Sequence, residues 1–198
     1  MTTVVAYGDG RTVWMAADTC TNVYERPVIG GATKILRLDA VDDDVLVGLA
    51  GHGGLASVLP ETVLPISPEE GEPTQNWANA VALALTQRAI EHGLVDDGQL
   101  DGNLILGWRG QVWTIAHAMA IPHPDGVAAV GSGEGPAIGA LDALRICDVH
   151  PTKAIQLAVE IACRRDRYSM PPLQVEVLEW HDPATQLSSG AGSSLPPT

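Results

Sequence analysis

Thr2-Thr3-Val4-Val5-Ala6-Tyr7-Gly8-Asp9-Gly10-Arg11-Thr12-Val13-Trp14-Met15-Ala16-Ala17-Asp18 decides how this chain is read. Residues 2–7 and 11–17 are apolar, strand-forming runs joined by Gly8-Asp9-Gly10, and Asp-Gly between such runs is a strong tight-hairpin signal. The ends of this hairpin carry chemistry. Once Met1 is removed, the Thr2 hydroxyl has a base in its own α-amine, whose reference pKa of about 7.7–8.0 suits proton transfer near neutrality. A lysine ammonium nearby holds such an amine neutral, and a carboxylate orients the lysine. Asp18 closes the second strand and Lys34 opens the next segment. Taken singly, Thr2 reads as the start of an edge strand, Asp18 as a turn former and Lys34 as a solvated lysine. The combination is what points to a nucleophile.

The rest of the chain alternates strand pairs with helices. A second hairpin is expected at about 34–39 and 45–50, turning at Asp42-Asp43-Asp44, followed by a short helix from Gly51 to about Leu59 and a loop from Pro60 to Pro73. Trp77, Val81, Leu85 and Ala89 recur at helical spacing within Thr74 to Glu91, with Thr74 as N-cap. Asn103 to Ala116 reads as a hairpin turning at Arg109-Gly110, and 127–130 as a short buried strand. Pro136 to Leu144 and Pro151 to Arg164 read as helices, the second with proline in its first turn. Leu173 to Trp180 is a last alternating strand, and the Ser, Gly, Ala and Pro-rich residues 182–198 read as a disordered tail. This order predicts an α+β fold: a four-layer αββα sandwich of two mostly antiparallel sheets, in one domain over 1–181.

At 198 residues the chain can bury a substantial core. Its 11 basic and 24 acidic residues give a formal charge of −13, which argues against a nucleic-acid binder. No segment approaches the roughly 20 consecutive apolar residues of a membrane span, and the N-terminus lacks the basic and apolar regions of a signal peptide, so a cytoplasmic protein is expected. Cys20, Cys147 and Cys163 form no CxxC pair, and the six histidines, His117 and His123 among them, show no zinc-site spacing. No cofactor or metal is implied. Gly131-Ser132-Gly133-Glu134-Gly135 is neither G-x-G-x-x-G nor a G-x-S-x-G elbow.

Six stretches together resemble the proteasome β-subunit and HslV family of N-terminal nucleophile hydrolases. They are Thr2-Thr3-Val4-Val5-Ala6, Val13-Trp14-Met15-Ala16-Ala17-Asp18, Ala32-Thr33-Lys34-Ile35, Gly48-Leu49-Ala50-Gly51-His52-Gly53-Gly54, Ala129-Val130-Gly131-Ser132-Gly133 and Arg165-Asp166-Arg167-Tyr168-Ser169. The resemblance implies the same αββα fold and a threonine-type peptidase. Thr2 would be the nucleophile, Lys34 and Asp18 would tune its amine, the Gly51 N–H would stabilise the oxyanion, and Ser132, Asp166 and Ser169 would support Thr2. It also implies an unfolded polypeptide substrate lying beside Thr21, Asn22 and Gly51, with Ala32, Leu36, Leu49 and Gly53 at an apolar specificity pocket. A stacked homo-oligomeric ring of six or seven subunits, fed by an ATP-driven unfoldase, is the assembly such a family implies. His52, Asp42-Asp43-Asp44, Met170-Pro171-Pro172 and the polar tail depart from the family pattern. The alternatives are a catalytically silent scaffold subunit and a hydrolase of a small amide.

Overall fold

The Asp9 carboxylate closes the first hairpin: its Oδ1 accepts the amides of Arg11 (2.9 Å) and Thr12 (2.8 Å). The computed structural model describes residues 2–23, 26–40, 43–69, 74–97 and 99–180. In chain order its elements are β1 (Thr3–Gly8), β2 (Thr12–Asp18), β3 (Thr21–Val23), β4 (Arg26–Val28), β5 (Ile35–Ala40), β6 (Asp43–Gly51), α1 (Leu55–Val58), a 3-10 turn (Leu59–Glu61), α2 (Thr74–Glu91), β7 (Val95–Asp96), β8 (Gln99–Leu100), β9 (Gly102–Trp108), β10 (Gln111–Ala116), β11 (Met119–Pro122), β12 (Val127–Gly131), α3 (Glu134–Ile146), α4 (Pro151–Arg165) and β13 (Leu173–Glu179).

Two antiparallel sheets form, ordered β12-β1-β2-β13 and β11-β10-β9-β6-β5. Alternate residues of a strand point to opposite faces, and three apolar clusters follow from this. Val4, Ala6, Val13 and Met15 of the first sheet meet Leu46, Ile105 and Val112 of the second. Val5 and Ala16 point the other way, onto Ala137 and Leu141 of α3 and Ile155 and Val159 of α4. Leu36, Leu38, Val47, Leu104 and Leu106 pack outward against Trp77, Val81 and Leu85 of α2. The order helix, sheet, sheet, helix is the four-layer αββα sandwich that the element pattern predicts.

The structure corrects several local readings. Asp43 and Asp44 are strand residues, not a turn: Asp43 pairs with Ala40 across the ladder and with Arg109 Nε (2.6 Å), and Asp44 pairs with Arg37 (3.1 Å). Asp42 lies outside the described residues, as do 181–198 and with them the polar tail. Thr74 is already helical, and its hydroxyl donates to Gln111 Oε1 at 3.0 Å rather than capping. The β3–β4 and β7–β8 ribbons and β11 add short strands where the sequence gives little periodicity. Among the described residues no helix is long and apolar enough to cross a membrane.

Candidate active site

Asp18, at the C-terminal end of β2, is a fully buried carboxylate held by four donors. Its Oδ1 accepts the Thr3 amide (2.8 Å) and Lys34 Nζ (2.9 Å), and its Oδ2 accepts the amides of Cys20 (3.1 Å) and Met170 (3.3 Å). A buried carboxylate is tolerated only when its lone pairs and charge are answered, and here they are. The node joins the start of β1, the end of β2, the approach to β5 and the approach to β13. Lys34 itself is buried, at 6 % exposed.

A second node lies beside it. Asp166 Oδ2 accepts the hydroxyls of Ser132 (2.6 Å) and Ser169 (2.7 Å), and its Oδ1 accepts the Tyr168 amide. The Ser169 hydroxyl proton is spent on Asp166, so the 2.7 Å contact between Ser169 Oγ and Thr3 Oγ1 is donated by Thr3. Ser132 also stands 3.5 Å from the Thr2 carbonyl. Burial pushes the Asp166 carboxyl up, but the Ser132 and Ser169 hydroxyls and the Tyr168 amide outweigh it and hold the group below its ordinary value. Burial, and then the nearby Asp18 carboxylate, push the Cys163 thiol up to about 11.

Two glycines make room for these contacts. Gly131 sits at φ +101°, and a Cβ there would lie 2.0 Å from the Thr2 carbonyl oxygen. Gly51 sits at φ +146°, opposite Gly102, where a Cβ would lie 2.2 Å from the Asp101 carbonyl. On β6 the Leu49 amide donates to the Lys34 carbonyl (2.8 Å), and His52 donates to Asp101 on the opposite side (2.9 Å). Alternation therefore turns the Gly51 N–H to the Leu49 side, where β5 has not yet begun.

That side opens into a cleft of about 790 Å³ lined by Thr2, Thr21, Ala32, Lys34, Leu49 and Gly51, with Cys20, His52, Gly53 and Ser57 among its other walls. Thr2 is 5 % exposed. The structure thus gathers Thr2, Lys34, Gly51, Thr21, Ala32, Leu49 and Gly53 at one cleft, and Asp18, Ser132, Asp166 and Ser169 behind it. Leu36 does not line the cleft. It packs in the core beneath α2 with Leu38 and with Leu49, itself a wall of the cleft. For Asn22 only the backbone is described, paired with Pro27. Sequence reasoning missed Thr3, which links both carboxylate nodes, and Gln174, which bonds the backbones of Lys34 and Ile35. The doubled threonine at the start of β1 was a visible signal for the first; nothing local marked the second.

Among the described residues no three His, Cys, Asp or Glu side chains stand together as a metal site. Neither a protein-family model nor a curated protein sequence matches the chain. Solved structures do. Eukaryotic HslV from Trypanosoma brucei is 28 % identical, with a TM-score of 0.62 over 89 % of this chain and 99 % of that one. Thiobacillus denitrificans BPH in complex with epoxomicin is 21 % identical, with a TM-score of 0.71 over 91 % and 100 %. Anbu, an ancestral beta-subunit from Yersinia bercovieri, is 16 % identical, with a TM-score of 0.61 over 89 % and 81 %. With the two-sheet sandwich and its layers of helices, these likenesses show that the chain has the fold of the proteasome-type N-terminal nucleophile hydrolases, HslV among them.

Proposed function

We propose that the chain is a threonine peptidase whose nucleophile is Thr2, exposed by removal of Met1. The observation that carries the reading is the buried Asp18 node, which ties Lys34 and the start of β1 together with no exposed partner. In this mechanism Thr2 Oγ attacks a peptide carbonyl and its proton passes to the Thr2 α-amine. The lysine ammonium disfavours prior protonation of that amine and so keeps the base available. The Gly51 N–H, turned into the cleft, donates to the oxyanion. Collapse breaks the C–N bond, the amine hands its proton to the departing nitrogen, and an ester to Thr2 remains. Water, deprotonated by the same amine, hydrolyses that ester and restores the hydroxyl. Asp18 orients Lys34. Through the Thr3 hydroxyl, Ser169 and Asp166 keep β1 from sliding, and Ser132 donates to Asp166 and holds it in place.

The substrate is an unfolded polypeptide lying extended in the cleft between Thr21 and Gly51. Leu49 with the small Ala32 and Gly53 favours an apolar side chain before the scissile bond. The assembly is a stacked ring, a reading that the likeness to HslV supports, and we extend it to feeding by an ATP-driven unfoldase in the cytoplasm. The test is hydrolysis of fluorogenic peptides and of unfolded casein by Met1-free protein sized by light scattering. Turnover abolished in Thr2→Ala, with preference for apolar residues, supports the reading; turnover that survives Thr2→Ala, or a preference for acidic or basic residues, refutes the nucleophile or the pocket respectively.

A further inference from the structure

Gln174 lies on β13, opposite Ala17 and next to the pair formed by Leu173 and Asp18. Val175 packs toward the outer helices and Leu178 into the space between the sheets, so alternation turns Gln174 toward the second sheet. A glutamine at such a position loses hydration and has to satisfy its amide within the protein. It does so on the backbone of two successive residues. Oε1 accepts the amides of Lys34 (2.9 Å) and Ile35 (3.1 Å), and Nε2 donates to the Ile35 carbonyl (2.8 Å). The Lys34 carbonyl accepts the Leu49 amide, and a regular antiparallel pair would return the Lys34 amide to Leu49. Gln174 takes that amide instead. The β5–β6 ladder therefore ends at Lys34, and the backbone of Lys34 is tied to the sheet that carries Asp18.

We propose that Gln174 is a positioning residue for Lys34, fixing the backbone end of a side chain whose ammonium end is fixed by Asp18. The proposal rests on the reading that Lys34 acts on the Thr2 amine. With both ends held, the ammonium keeps one distance from that amine; with the backbone end released, it retreats. A second tie joins the same strands without touching Lys34: Arg37 Nη2 donates to the Val177 carbonyl (2.8 Å) and pairs with Glu176 (3.7 Å). Arg37→Ala is therefore the control for a purely structural role.

The experiment is competitive acetylation of the Thr2 α-amine across pH in Met1-free protein, read by mass spectrometry, which needs no turnover. Gln174→Met keeps the size and removes all three hydrogen bonds. It should raise the pKa of the amine by about half a unit, the change expected when a unit charge retreats from roughly 4 to 5 Å at an effective dielectric constant of about 20. Gln174→Asn, whose amide is one methylene short, should give a smaller rise and serves if the methionine variant fails to fold. Arg37→Ala should leave the titration unchanged. An unmoved titration in the Gln174 variants, or an equal shift in Arg37→Ala, overturns the proposal. Failure of the Thr2 reading shows separately, as wild-type protein that forms no adduct with a peptide epoxyketone.

Discussion

Replacing Lys34 by methionine should cost the fold as well as the chemistry, and the size of the cost follows from burial. Exposed ion pairs contribute about 0–1 kcal/mol, whereas removing one partner of a buried pair costs about 3–5 kcal/mol, because the other charge is left unanswered. Asp18 is fully buried, and the Lys34 side chain is 7 % exposed. Three backbone amides from Thr3, Cys20 and Met170 still serve the carboxylate in the variant, which puts the expected loss at the lower end, about 3 kcal/mol. For a chain of this size each kcal/mol moves Tm by roughly 2–4 °C, so Tm should fall by about 6–12 °C. The assay is thermal unfolding by circular dichroism at one fixed protein concentration, since assembly raises Tm by mass action. Arg37→Ala breaks an ion pair whose side chains are 40 % exposed on both sides and should cost under about 1 kcal/mol. A Lys34→Met protein melting within about 2 °C of wild type would refute the view that the Asp18 node is a buried ion pair on which the fold depends.

Gly131→Ala should sharply reduce epoxyketone adduct formation, because its Cβ would sit 2.0 Å from the Thr2 carbonyl at φ +101°, a strain of about 1–3 kcal/mol before any clash. Gly139→Ala, with nothing within 4 Å of its Cβ, should react at the wild-type rate. Ser132→Ala should raise the Asp166 carboxyl toward its ordinary value of 3.8. Because the folded value is depressed, that carboxylate contributes stability above pH 3.8 that is lost as the pH falls through the folded value. Acid unfolding followed by circular dichroism should therefore be shallower in Ser132→Ala than in wild type at the low-pH end, and superimposable curves would contradict the assignment. With Ellman's reagent at pH 8, the exposed Cys147 should react first. Cys163, pushed up to about 11, and the buried Cys20 should lag until the protein is unfolded, and three equally fast thiols would overturn that ordering.

The sandwich was legible because its main strands and helices each carry their own period: Val4, Ala6, Val13 and Met15 alternate inward, and Trp77, Val81 and Leu85 recur at one helical turn. Asp43 and Asp44 escaped because three acidic residues in a row look like a turn, and only Arg109 and Arg37, distant in sequence, make them tolerable in a strand. The candidate site was legible as far as its grouping goes: Thr2 and Lys34 line one cleft and Asp18 pairs with Lys34. Its wiring was not. The Thr3 hydroxyl meets Ser169 across 166 positions, and Gln174 meets Lys34 across 140. Such contacts exist only once β13 is laid against β2 and the two sheets are stacked.

The proposed nucleophile, Thr2, carries its own base, and an epoxyketone that requires both the hydroxyl and the free amine tests the two together. The measurement is the intact mass of purified protein before and after incubation with such a peptide. The expected result is a chain lacking Met1 that gains one adduct, with no adduct in Thr2→Ala. A chain lacking Met1 that gains none would contradict it.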